Sequence, residues 1–217
     1  MTHPRGVDLR WIAVVCRSLV MAPLVIASLT AAEESGGEHA FVGSQKCAVC
    51  HEKKLMGDQY DIWKAGPHAK AFATLGTDEA ALVARAAGVV GDPQMADQCL
   101  RCHVTGHGAP AERLPKGKLA YEEGVGCESC HGAGKDYRNK QVMSDPARAE
   151  AKGMKKPVEA DCRACHNESN PTWNAERYTQ ADGRKAGFDF DQALAQITHA
   201  FPVEVKGRYL ELEKQKP

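Results

Sequence analysis

Aromatic residues are scarce in this chain. They make up 6% of 217 residues, with 5 Phe, 5 Tyr and 3 Trp. A chain of this length ordinarily buries more bulky apolar side chains, so a conventional hydrophobic core is excluded as the main source of stability. Charge imbalance is also missing, because 28 Lys+Arg stand against 28 Asp+Glu. That removes the basic surface on which nucleic-acid binding depends. Beyond the N-terminus, no apolar run approaches the roughly 20 residues of a membrane-spanning helix. No catalytic triad, phosphate-binding loop or nucleophile motif is present.

Cysteine, by contrast, is abundant: the chain has nine. Eight of them fall into four copies of Cys-x-x-Cys-His: Cys47/Cys50/His51, Cys99/Cys102/His103, Cys127/Cys130/His131 and Cys162/Cys165/His166. This is the attachment signature of a c-type haem. Each thiol can add to a vinyl group of the porphyrin, and the following His becomes the proximal iron ligand. The third copy lies at the centre of a glycine-flanked stretch, Gly124 to Gly134. Glycines there would let the backbone lie close to a flat macrocycle, since they carry no Cβ. The ninth cysteine, Cys16, belongs to the N-terminal apolar segment.

Zinc is the bland alternative. Two CxxC pairs can close a tetrahedral thiolate site, usually with roughly 15–20 residues between them. Here the gaps are uneven and mostly longer, and zinc needs no His after each second Cys. Thioredoxin-like chemistry would explain one CxxC, not four. Four covalently bound haems c are the expected cofactors. They also answer the shortage of aromatics, because each porphyrin buries far more surface than a Phe. The expectation is a thin wrapping of short helices and loops around stacked haems, poorly folded without them.

Residues 1–32 read as a secretory signal, with Arg5, Arg10 and Arg17 before an apolar Ser18 to Leu29 and a small-residue site at Thr30-Ala31-Ala32. An uncleaved anchor counted from Trp11 is the other reading, and membrane association would follow only from it. Residues 33–217 then form one exported, periplasmic haem domain, consistent with haem attachment outside the cytoplasm. Cleavage removes three cationic residues and one anionic one, leaving a net charge of about −2, and four haems bring it to about −6. A mildly acidic carrier suits a basic patch on a protein partner and argues against nucleic acid.

In chain order, residues 33–39 form a polar lead-in, and His39 reads first as solvated rather than ligating. Pro67 suits the first turn of a helix on which His68, Phe72 and Leu75 share a face. His68 on that face is a candidate distal ligand. Thr77 caps a following helix that Gly88 ends. His107 lies four residues past His103 and therefore on the proximal side of that haem. It could serve a neighbouring haem or none. Asp145-Pro146 opens a short helix closed by Gly153, with Met143 just ahead of it. A Pro/Asn-rich loop carries Trp173. Phe190, Leu194, Ile197 and Phe201 mark the apolar face of a last helix, with His199 at its end. The tail from Glu204 is charged.

These motifs resemble the tetrahaem cytochrome c-554 family. The likeness runs from Phe41 to about His199. It is specific at residues 41–51, at Trp63 with His68-Ala69-Lys70-Ala71, at Cys102 to Gly106, and at Gly124 to Gly134. It implies a mainly α fold with little or no sheet and haems packed in close pairs. It implies His199 opposite His51 on haem 1, His68 opposite His131 on haem 3, and a five-coordinate haem 2 on His103. Haem 4 of the family takes a His from the loop after the third motif. Residues 132–161 contain no histidine. The candidates for that position are Met143, Lys140, His107 or an open site. Met143 is preferred, since a thioether needs no deprotonation.

The resulting reading is a periplasmic electron carrier working between redox partner proteins. The resemblance implies a hydroxylamine oxidoreductase-like donor; a membrane quinone-linked cytochrome is the other candidate. The competing class is an enzyme acting on a small nitrogen oxide at an open haem, which would also need a proton donor above the iron.

Overall fold

The computed structural model describes residues 39–118 and 120–199, together with Gly207. The signal segment 1–32, Phe201 and the tail apart from Gly207 lie outside the described residues. Among the described residues the chain is mainly helical, as expected. Its helices are α1 Gln45–His51, α2 Gln59–Ala65, α3 Ala71–Thr74, α4 Asp78–Ala86, α5 Asp97–His103, α6 Cys127–His131, α7 Lys140–Met143, α8 Pro146–Ala151, α9 Glu159–Arg163 and α10 Phe190–Ile197. Strands β1 Tyr178–Thr179 and β2 Lys185–Ala186 form a short antiparallel pair. No helix among the described residues is long and apolar enough to cross a membrane.

Capping residues set the helix boundaries. Thr77 accepts from the Ala80 N–H at the start of α4, and Gly88 follows its end with φ +77°. Asp145 accepts from the Arg148 N–H, with Pro146 in the first turn of α8 and Gly153 at φ +94° beyond it. Asp189 caps α10 in the same way through Gln192. The stretch after Pro67 departs from a single helix. His68–Lys70 form one 3-10 turn that leads into α3. Phe72 and Leu75 still share an apolar face, packed with Leu100, Val104, Cys99 and Tyr121. This small cluster fixes the second CxxCH helix against α3.

Polar contacts to the backbone carry much of the remaining tertiary structure. Glu128, one of the two unnamed positions of the third motif, is 4% exposed. Its carboxylate accepts from the N–H groups of Val42, Gly43 and Gly134, the last at 2.6 Å. Burial pushes the carboxyl above its ordinary range, while these N–H bonds pull it down. Glu123 accepts from Ser44 and Gln45 at the start of α1. Together the two carboxylates fasten the entry to the first motif onto the third. Glu128→Ala strands three N–H groups, each costing about 1–3 kcal/mol if left dry. We expect a loss of about 3 kcal/mol or more, measured by denaturant unfolding of the haem-loaded protein. A change within error would mean that water reaches the site.

The glycines around the third motif serve chain-to-chain contact rather than macrocycle contact. Gly124 has φ +57°, and a Cβ there would sit 2.6 Å from the His68 carbonyl oxygen. That carbonyl accepts from the Val125 N–H at 2.9 Å. The His68 turn is thereby docked on the third motif. Trp63 adds a second tie by donating its indole N–H to the Val125 carbonyl.

Candidate functional site

Each CxxCH motif occupies about one turn of helix. Positions i, i+3 and i+4 share a helical face, so both thiols and the imidazole of a motif point the same way. Motifs one, two and three lie in α1, α5 and α6. The fourth starts in α9 and continues through one further turn. There the Cys165 and His166 N–H groups both donate to the Cys162 carbonyl.

Three of the four proximal histidines have Nδ1 held. His51 Nδ1 lies 2.6 Å from Gln59 Oε1, His103 Nδ1 lies 2.7 Å from the Ala71 carbonyl, and His131 Nδ1 lies 3.2 Å from the Lys155 carbonyl. A carbonyl can only accept, so Nδ1 carries the hydrogen and Nε2 keeps its lone pair. This arrangement orients a ligating histidine and fixes its tautomer. Gln59, 5% exposed, is a supporting residue that the sequence did not announce. For His166 the described residues offer no such acceptor.

The motifs come together in a definite order. Cys47 and Cys127 share a thiol hydrogen bond that raises the first and lowers the second. Burial pushes Cys165 up to about 12, helped by a hydrogen bond with Cys102. Burial, then the charge of Cys162, pushes Cys130 up to about 11. Motif one therefore touches motif three, motif four touches motif two, and motifs three and four are neighbours.

Two further histidines complete the set. The His68 ring centre lies 6.0 Å from that of His166, and the His199 ring centre lies 6.0 Å from that of His131. Two imidazoles binding one iron from opposite faces stand about 6 Å apart, given metal–nitrogen bonds of about 2.0 Å. Burial lowers all four imidazoles below their ordinary value, keeping them neutral, the form that binds a metal. The resemblance implied other pairs, His68 with His131 and His199 with His51. The structure pairs His68 with His166 and His199 with His131 instead, because the Gly124 contact and the end of α10 set where each ring can reach.

Met143 is corrected by the same geometry. It closes α7 and is half-buried, and the position opposite His166 that it was expected to fill is held by His68. Lys140 is exposed at the start of α7. His107 turns its Nε2 toward Asp97, the first residue of the helix that carries His103, at 3.5 Å. It stays on the proximal side of that motif, as its spacing predicts. His39 is not a solvated lead-in residue, since its Nδ1 lies 2.7 Å from Asp136 Oδ2.

The residues present therefore fit c-type haem: paired thiols on one helical face, imidazoles with free Nε2 atoms, and facing rings at the separation an iron between them requires. A family model described as cytochrome c554 and c-prime matches residues 46–132. Cytochrome c-554 of Nitrosomonas europaea is 30% identical over 191 residues, which is 78% of this chain and 78% of that protein. The chain belongs to the cytochrome c-554 family. It is a multihaem c-type cytochrome of electron transfer with covalently bound haem. The solved structure of reduced cytochrome c554 from the same organism aligns over 75% of this chain and 80% of that one, at 27% identity and a TM-score of 0.45. Within this cytochrome, Glu128 and Gln59 are the supporting residues that motif reading missed. Both lie inside or just beyond a CxxCH segment, where a polar residue carries no signal of its own.

Proposed function

We propose that this cytochrome is an exported, periplasmic carrier holding four covalent haems, one on each CxxCH helix. The cysteine pairs Cys47/Cys50, Cys99/Cys102, Cys127/Cys130 and Cys162/Cys165 form the thioethers. His51, His103, His131 and His166 are the proximal ligands, with His199 opposite His131 and His68 opposite His166. Bound haem supplies a one-electron iron couple whose potential depends on axial ligand, burial and hydrogen bonding. The chain's own part is to hold neutral imidazoles in place and keep the four attachment sites adjacent.

The supporting observation is the contact order of the motifs, one to three to four to two. Such a row suits passage from one end of the protein to the other. The mildly acidic mature chain suits a basic patch on its redox partner proteins. A hydroxylamine oxidoreductase-like donor remains the partner that the family resemblance implies. A second reading, redox chemistry on a small nitrogen oxide, is favoured by His103, whose near neighbour His107 faces back toward its own helix.

Denaturing mass spectrometry tests the proposal directly. The expected mass is the chain from Glu33 plus four haems, with iron and no zinc by metal analysis. Fewer haems, or zinc in their place, would sink it.

A further inference from the structure

His39 is built into the protein rather than leading up to it. Its carbonyl accepts from Arg113 Nε at 3.0 Å, and the Phe41 N–H donates to the Arg113 carbonyl at 2.7 Å. On the other side the Lys135 N–H donates to the Ala40 carbonyl at 3.1 Å. The imidazole lies against Gly153, where a Cβ would collide with Cδ2 and Nε2 of the ring. Gly153 therefore makes room for this ring as well as ending α8. Asp136 Oδ2 sits 2.7 Å from Nδ1. An ionised carboxylate only accepts, so Nδ1 carries the hydrogen and Nε2 presents its lone pair. A carboxylate behind the far nitrogen is the arrangement that orients a metal-bound histidine and raises its basicity.

The placement points to one iron. Asp136 precedes Tyr137, whose phenol is raised by burial and then by Cys47, Glu128 and Cys127. The loop that holds His39 therefore abuts the attachment cysteine of the first motif. His199 and His68 face the third and fourth proximal histidines, and His107 stays beside its own helix. We propose that His39, oriented by Asp136, is the distal ligand of the haem held by Cys47, Cys50 and His51. This rests on the four-haem reading above. Asp136 acts as a positioning residue.

The test uses the haem-loaded protein and low-temperature EPR. Wild type is first weighed; fewer than four haems would defeat the four-haem reading itself, independently of His39. With four haems present, His39→Ala is expected to convert one low-spin signal to high-spin, and added imidazole to restore it. Gln59→Leu removes the acceptor behind His51 and marks that haem by shifting its signal. The signal lost in His39→Ala should be the one so marked. Asp136→Asn should keep that haem low-spin and raise its potential, because the imidazole donates less to iron. An unchanged low-spin count in His39→Ala, loss of a different signal, or failure of imidazole to restore it would overturn the assignment. Should His39→Ala not accumulate, four unchanged potentials in Asp136→Asn would overturn it equally.

Discussion

His68→Ala is expected to turn one low-spin haem high-spin, at the iron held by His166. The His68 ring stands 6.0 Å from the His166 ring, and burial keeps both neutral. Removing the side chain leaves the backbone tie intact, since it is the His68 carbonyl that accepts from Val125. The fold should therefore survive while the ligand is lost. Exchange of imidazole for water or an open site weakens donation to iron, so the potential of that haem should rise. EPR of the oxidised protein counts the low-spin signals, and a redox titration finds the displaced potential. Met143→Leu is the matched control. It removes a sulfur from half-buried α7 and should leave all four potentials where they were. A low-spin count that ignores His68 but responds to Met143 would reverse the assignment.

One haem of the native protein, that on His103, should be high-spin and open. The nine histidines decide this by elimination. Four are proximal, His68 and His199 face two of those, His39 is assigned to a third, and His3 belongs to the signal segment. His107 alone remains, and its Nε2 is turned toward Asp97 on the helix that carries His103. A residue four positions past the proximal ligand cannot pass to the opposite face of the same ring. Cyanide or nitric oxide should thus bind one site per chain. His107→Phe should leave both the high-spin signal and this stoichiometry unchanged. Absence of any high-spin signal in the oxidised native protein, with no binding of either probe, would refute the open site. Turnover of a nitrogen oxide at that site would move the protein from carrier to enzyme.

How much of this was legible beforehand differs by residue. The four CxxCH motifs were, because their chemistry is local: five consecutive residues on about one turn of helix present two thiols and an imidazole together. The caps Thr77, Asp145 and Asp189 belong to the same class, since a cap bonds within three residues of itself. The family was readable from the same short motifs. The two-stranded pair at Tyr178 and Ala186 gave no warning, being only two residues to a strand.

The sequence by itself determined which atoms can bind haem, and that the fold must be a thin helical wrapping with few aromatics. It could not determine which histidine faces which. Axial pairing joins residues about 100 apart for His68 and His166, and depends on contacts such as Gly124 against the His68 carbonyl. Tertiary structure alone decided those pairs. It also decided the role of Glu128, whose three N–H donors come from two distant segments, and of His39, which is defined by Asp136 at 97 residues' separation. The physical reason is common to all of them. A ligand or a buried carboxylate is specified by partners in space, and a partner far along the chain leaves no periodicity or spacing beside the residue it serves.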